Sequence, residues 1–208
     1  MRDVKPVRRI TLRAERAAVT RRRIAEAARL RFRRDGYGAT TMASIAFEAG
    51  VAVQTVYAVY ASKLGIFREL RDAVANQPAA DALVGRALAD PDPAQKLAFF
   101  AASIRARWVA GHDIVAIGAQ AVAMDPSIRP EVEEALARRR NGIGRFATSL
   151  QPALAAGIDP TRAAAIIEAL TAPGLYEVLV EVNGWSPDEY EAWLSEILTG
   201  QLLARTSR

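Results

Sequence analysis

One stretch constrains the fold of this 208-residue chain more than any other. It runs from Thr41 to Lys63 and reads TMASIAFEAGVAVQTVYAVYASK. Thr41 is suited to cap a helix, and apolar residues then recur at spacings of three and four up to Ala49. Gly50 can adopt the left-handed conformation that ends such a helix, and a second apolar stripe begins at Val53. Two short helices joined by a tight turn are therefore predicted, which is a helix-turn-helix.

The second of these helices leaves small and polar side chains exposed near its N-terminus, as in a helix that enters the major groove of DNA. The amide of Gln54 can contact adenine with two hydrogen bonds, and Thr55 can bond a base edge or meet a thymine methyl. Tyr57 and Lys63 have the reach and the chemistry for phosphates. The side that packs against the first helix is expected to comprise Val53, Val56 and Tyr60.

At these residues the chain resembles the TetR family of bacterial one-component repressors. The resemblance starts with the helix from Arg21 to Arg34 and keeps its spacing without gaps to Lys63. It implies that residues 53 to 58 carry the base and phosphate contacts, that Tyr57 and Lys63 bind the DNA backbone, and that Thr41 contacts a phosphate. The predicted DNA contacts are Arg21, Arg22, Thr41, Val53, Gln54, Thr55, Tyr57, Ala58, Tyr60 and Lys63.

Three departures from the family pattern occur within the motif. Ala52 replaces the usual capping Ser of the second helix, and Ser44 stands where an acidic residue would complete a capping box. Ala58 and Val59 replace larger aromatic or His residues, which removes bulk for contacts with DNA. The alternative interpretation is a helical hairpin in an unrelated α-protein.

The charge of the chain is unevenly distributed. Residues 1 to 77 hold 16 Lys and Arg against 7 Asp and Glu, a balance of +9, which leaves 12 against 16, or −4, for residues 78 to 208. The positive part contains the helix-turn-helix, as a phosphate-binding module requires. Residues 1 to 19 are basic without an apolar period, so we expect a flexible arm that either follows DNA or is a solvated tail.

The remaining sequence predicts only helices, with breaks at Asn76-Gln77-Pro78, Asp90-Pro91-Asp92-Pro93, Gly111-His112-Asp113, Asp125-Pro126, Asp159-Pro160 and Ser186-Pro187. The predicted fold is all-α. It has an N-terminal three-helix DNA-binding domain, joined by a linking helix from Ser62 to Ala75 to a C-terminal helical bundle. The expected domains are residues 1–19 (arm), 20–77 (DNA binding) and 78–208 (ligand binding and dimerisation).

The resemblance implies that two late helices pair with a second copy of the chain and that a ligand pocket lies between the middle helices. Residues 127–154 and 159–182 are the expected dimer helices, although their apolar residues would equally suit an ordinary core. The predicted interface comprises Ile143, Phe146, Leu150, Ile167, Leu170, Leu175 and Leu179. The predicted pocket comprises Phe99, Phe100, Trp108, His112, Gln120, Met124 and Tyr176, a mixture that favours a small, largely apolar effector.

The predicted function is therefore sequence-specific DNA binding by a homodimeric repressor that a small molecule releases from a palindromic operator. A sequence-tolerant architectural protein is the main alternative, followed by an enzyme or a ligand carrier. His112 is the only His and the chain has no Cys, so no metal site, cofactor or catalytic group is predicted. No apolar run suits a membrane span or a signal peptide, which predicts a cytoplasmic protein.

Overall fold

A computed structural model of the chain describes residues 12 to 204, and within that range it contains helices and no β-strand. The α-helices are α1 (Leu12–Asp35), α2 (Met42–Ala49), α3 (Val53–Val59), α4 (Lys63–Ala75), α5 (Pro78–Ala89), α6 (Pro93–Met124), α7 (Arg129–Ser149), α8 (Pro160–Leu170), α9 (Pro173–Tyr176) and α10 (Pro187–Leu202). A π-helical segment, Glu177–Val182, continues α9. The all-α class and the predicted order of helices are confirmed.

The first helix begins earlier than the sequence analysis expected. It starts at Leu12 instead of Thr20, so residues 12 to 19 are helical and the prediction of a flexible arm is wrong for them. That prediction relied on the missing apolar stripe, but Leu, Arg, Ala and Glu have high intrinsic helix propensity and need no buried face to extend an existing helix. Residues 1 to 11 of the predicted arm lie outside the described residues.

The chain divides into two compact units between Leu70 and Arg71, a point that lies within α4. In the first unit, the direction of the chain turns by 105° between α2 and α3, within the range typical of a helix-turn-helix. Gly50 has φ +62° and caps α2, as the sequence predicts. The fully buried core of this unit includes Ile24, Phe32, Ile45, Val56, Ile66 and Phe67.

In the second unit, α6 packs against α5 and α10, and α7 packs against α8. Gly111 has non-helical dihedral angles and kinks α6, at the break that the sequence predicts between two helices. The core around α6 is aromatic and aliphatic, and the rings of Phe100 and Phe146 stack with centroids 4.2 Å apart. No single described helix has the length and apolar composition needed to cross a membrane, although two bent pairs (α2 with α3, and α8 with residues 173–182) meet those criteria together.

Candidate functional site

The exposed side of α3 carries the first group of candidate residues. Val56 is fully buried and anchors the helix, whereas Gln54, Tyr57 and Ala58 are exposed, with 54% of Tyr57 accessible. These three positions follow the spacing of three and four that places residues on one helix face. Thr55 is only partly buried beside them. A short helix therefore presents an amide and a phenol outward from a fixed backbone.

The start of α2 is held by a reciprocal capping box. The backbone N–H of Ser44 donates to Thr41 Oγ1, and the N–H of Thr41 donates to Ser44 Oγ, both at 3.0 Å. Ser44 thus completes the box that the sequence analysis considered incomplete, because a hydroxyl accepts the same hydrogen bond as a carboxylate. The predicted absence of a cap on α3 is confirmed, since Ala52 makes no side-chain hydrogen bond there.

Lys63 has a different role from the predicted phosphate contact. Its ammonium donates to the carbonyl oxygens of Tyr37 (2.5 Å), Thr40 (2.9 Å) and Gly38 (3.3 Å), and it lies 4.4 Å from the centroid of the Tyr37 ring. Burial lowers the pKa of Lys63. An ammonium has three protons and three carbonyls accept them, so Lys63 fastens the start of α4 to the loop that precedes Thr41.

Tyr60 is the second predicted DNA contact that the structure places elsewhere. It is 3% exposed, and its hydroxyl donates to Glu69 Oε1 at 2.7 Å, with the Arg21 carbonyl oxygen 3.3 Å away. Burial raises the pKa of Tyr60, and the hydrogen bond to the Glu69 carboxylate raises it further. Arg21 donates to Glu69 Oε2 at 2.6 Å and lies over the Tyr60 ring, whereas Arg22 is exposed. Tyr60 therefore joins α3, α4 and α1 from within.

Two notable residues of this domain were not predicted from the sequence. Arg23 Nη2 donates to the carbonyl oxygen of Ala49 at 2.6 Å, at the C-terminal end of α2. Phe47 is 83% exposed on α2. The apolar stripe of α2 leaves position 47 on the opposite side, so the spacing alone contained the signal for an outward Phe.

The predicted pocket residues do not all lie together. Trp108, His112 and Tyr176 do: His112 Nδ1 is 3.1 Å from the Trp108 carbonyl oxygen, and the rings of His112 and Tyr176 are 5.2 Å apart. Met124, which is 64% exposed, and Gln120 lie on the surface of the single chain. The other two predicted residues make separate contacts, Phe99 beneath the Arg86 guanidinium and Phe100 on Phe146.

Most of the predicted dimer residues belong to the core of the second unit. Ile143, Phe146, Leu150 and Ile167 are at most 5% exposed within the single chain, which leaves them no surface to offer a partner. Their apolar spacing fits a core as well as an interface, the alternative that the sequence left open. Leu170, Leu175 and Leu179 are only partly buried. Val178 and Val182 in the π-helical segment, which were not predicted, are 50% and 73% exposed.

Comparison with known proteins supports the same interpretation. Residues 24–70 match the sequence model of the bacterial regulatory proteins of the tetR family. No curated protein matches the chain. Among solved structures, the fatty acid degradation regulator FadR of Bacillus halodurans is 17% identical (TM-score 0.68, covering 89% of this chain and 97% of FadR). NalD of Pseudomonas aeruginosa, the secondary repressor of the MexAB-OprM multidrug efflux pump, is 23% identical (TM-score 0.66, covering 91% and 98%).

A regulator from Saccharomonospora viridis in complex with choline is also 23% identical, with a TM-score of 0.66 and coverage of 90% of this chain and all of that one. These likenesses establish a common fold, and the sequence match places the helix-turn-helix in a defined family. Residues 24–70, which include the helix-turn-helix, are thus similar to the bacterial regulatory proteins of the tetR family, and the fold of the chain is similar to those of FadR and NalD.

Proposed function

We propose that the chain is a cytoplasmic, homodimeric repressor that leaves a near-palindromic operator when a small effector binds its C-terminal helices. The exposed face of α3 is the main support for this proposal. Gln54, Tyr57 and Ala58 share that face, and buried Val56 fixes it. One chain presents one such helix, and helix-turn-helix regulators read two half-sites as dimers, with the half-sites about one turn of DNA apart.

In this proposal, different residues around α3 contact the bases and the phosphates of DNA. Gln54 reads adenine and Thr55 reads a neighbouring base edge, while Tyr57 and Arg22 contact phosphates. Thr41 keeps its hydroxyl proton for a phosphate, because within the capping box the hydroxyl oxygen acts as an acceptor. The free backbone N–H groups in the first turn of α2 favour an anion at the same place.

We place the dimer contact on the late helices. The structure leaves Leu170, Leu175 and Leu179 partly buried and Val178 and Val182 exposed along residues 170 to 182. An apolar stripe of this kind gains free energy when a second copy covers it. Residues 127–154 contribute through their exposed side, since their buried side already belongs to the core of one chain.

The effector is proposed to bind close to Trp108, His112 and Tyr176, the predicted pocket residues that lie together. Complexes of similar proteins with choline, with triclosan (SmeT) and with stearoyl-CoA (FadR from Bacillus subtilis) support a ligand-responsive role. Binding would favour a spacing of the two DNA-binding domains that no longer fits the operator. We propose residues 20–77 and 78–208 as the two functional domains, with α4 as the link that carries the change.

The proposal is tested by selecting bound duplexes from a random pool and titrating the selected site at several salt concentrations. We expect a palindromic site for the wild type. Gln54→Ala should relax the preference at one base pair of each half-site by about 1–3 kcal/mol. Gln95→Ala is the matched control, because Gln95 is an exposed Gln on α6 in the second unit. Binding that ignores sequence and disappears with salt would contradict the proposal and favour an architectural protein.

A further inference from the structure

Three hydrogen-bond donors that lack full partners meet in the second unit. The indole Nε1 of Trp108 and the hydroxyl of Tyr190 are buried without a hydrogen-bond partner among the described residues. Trp108 is 5% exposed and Tyr190 is fully buried. Buried polar atoms nearly always have a partner in native proteins, because an unpaired one costs about 1–3 kcal/mol. Two such atoms in the same buried cluster therefore indicate a site that receives a polar group.

The third donor is the guanidinium of Arg139. Its Nη2 donates to the carbonyl oxygen and to the hydroxyl of Thr171, at 2.8 and 2.7 Å, and its central carbon lies 5.7 Å from the centroid of the Trp108 ring. Nε and Nη1 have no acceptor among the described residues. Burial lowers the pKa of Arg139. The carboxylate of Glu168 is in electrostatic range, but it lies 3.6 Å from Arg140 Nε, and no described carboxylate forms an ion pair with Arg139 itself.

The three side chains come from three different helices: Trp108 and Tyr190 belong to one buried cluster, and the Arg139 guanidinium lies near the Trp108 ring. Trp108 is on α6, Arg139 on α7 and Tyr190 on α10. Burial raises the pKa of Tyr190, while the interaction with the Trp108 N–H and the charge of Arg139 act in the opposite direction. The rings of Tyr176 and Tyr190 are 4.9 Å apart, so an aromatic wall adjoins the donors.

We propose that Trp108, Arg139 and Tyr190 bind the carboxylate of a small organic acid. An indole N–H and a guanidinium can only donate, and a tyrosine hydroxyl can donate as well, so the group that satisfies all three is an acceptor. A negative charge also compensates a partly buried guanidinium that has no ion-pair partner. The aromatic wall formed by Tyr176 and His112 would hold the apolar part of the acid.

The test uses matched pairs of acid and neutral amide: phenylacetate with phenylacetamide, and octanoate with octanamide. Each compound is added to the full-length protein at millimolar concentration, and the rise in melting temperature and the change in tryptophan fluorescence are recorded. We expect at least one acid to bind roughly tenfold or more tightly than its amide, since hydrogen bonds to a charged group contribute more than those to a neutral one.

Two substitutions then locate the site. Tyr190→Phe removes only the hydroxyl, and Arg139→Gln removes the charge, so each should lower the affinity for the acid roughly tenfold and leave the affinity for the amide nearly unchanged. Arg138→Gln is the control, because Arg138 is the next residue on α7, is exposed and pairs with Glu134. Circular dichroism confirms that each variant folds.

The proposal is overturned if none of the four compounds binds, if acid and amide bind alike, or if Tyr190→Phe and Arg139→Gln bind the acid as the wild type does. The last result would indicate that the donors hold only a buried water. This proposal depends on the proposed function in one respect only, which is that the acid is the effector that releases the protein from DNA. Operator binding, measured with and without the acid, separates the two: an acid that binds through Arg139 but leaves DNA binding unchanged keeps this site and refutes the effector role.

Discussion

The kink of α6 at Gly111 leads to a quantitative prediction about packing in the second unit. At Gly111 an ideal Cβ atom would lie 2.2 Å from Val74 Cγ2, and 3.2 Å from Ile114 Cγ1. Carbon atoms attract one another at separations of about 3.5–4.0 Å and repel strongly below that range. Gly111 has φ −179°, which is extended backbone that alanine adopts equally well. The effect of Gly111→Ala is therefore steric and not conformational.

We expect Gly111→Ala to lower the free energy of unfolding by about 2 kcal/mol. Inserting a methyl group into a packed contact costs about 1–3 kcal/mol, and an approach of 2.2 Å to Val74 Cγ2 puts this case near the upper end of that range. The loss of glycine entropy in the unfolded chain returns about 0.4–1 kcal/mol of this. For a chain of this length, the net change corresponds to a fall in melting temperature of about 4–8 °C.

Val74→Ala provides the decisive comparison, because it removes the methyl group that the new Cβ would meet. Alone, it should cost about 1 kcal/mol, since Val74 is only partly buried. If the clash is the cause, the double variant should be about as stable as Val74→Ala, which gives a coupling of about 2 kcal/mol between the two sites. Urea unfolding of the four proteins measures this directly.

Gly85→Ala is the matched control, since Gly85 is an exposed glycine within α5 with nothing near its missing Cβ. It should raise stability by about 0.5–1 kcal/mol. A Gly111→Ala protein as stable as the wild type, with no rescue by Val74→Ala, would refute the close approach of α6 and α4. If α4 relays effector binding, the same variant should also alter the release of operator DNA, and Val74→Ala should restore it.

Two further predictions concern the interior of the DNA-binding domain. Lys63→Met should lower the free energy of unfolding by about 2 kcal/mol, because three carbonyl oxygens lose a charged donor. It should leave the slope of log DNA affinity against log salt concentration almost unchanged. A slope reduced by about one unit would instead identify a phosphate contact. Tyr60→Phe should lower the free energy of unfolding by about 1.5 kcal/mol, because it removes the hydrogen bond to Glu69. The preferred operator in a selection experiment should stay the same. An altered operator would show that the hydroxyl contacts DNA.

The sequence predicted those parts of the structure that depend on neighbouring residues. The cap at Thr41, the left-handed Gly50 and the outward face at Gln54 and Tyr57 are consequences of spacings of one to four residues. The break at Gly111 was also predictable, because the local composition weakens the helix there. These features are determined by residues that lie close together in the sequence.

Contacts between distant residues were not predictable in the same way. The carbonyl oxygens that bind Lys63 are 23 to 26 positions away, and nothing in the spacing distinguishes them from a phosphate as the partner of an ammonium. Ile143 and Ile167 show the corresponding limit for apolar residues. An apolar stripe on a helix indicates that one face is buried. It does not indicate whether the same chain or a second copy of it buries that face.

In the DNA-binding domain, the formal charge overstates the number of cations that are free to contact DNA phosphates. Arg21 pairs with Glu69, Arg31 pairs with Glu48 at 2.7 Å, Arg34 pairs with Asp35, and Lys63 is bound to backbone carbonyls. These cations already have partners within the domain, so we expect them to release few counterions when DNA binds. We therefore expect a salt dependence much weaker than the excess of nine positive charges in residues 1 to 77 implies. Affinity and sequence preference would then depend mainly on the exposed, uncharged face of α3, so the choice of operator should persist at salt concentrations that abolish binding through charge alone.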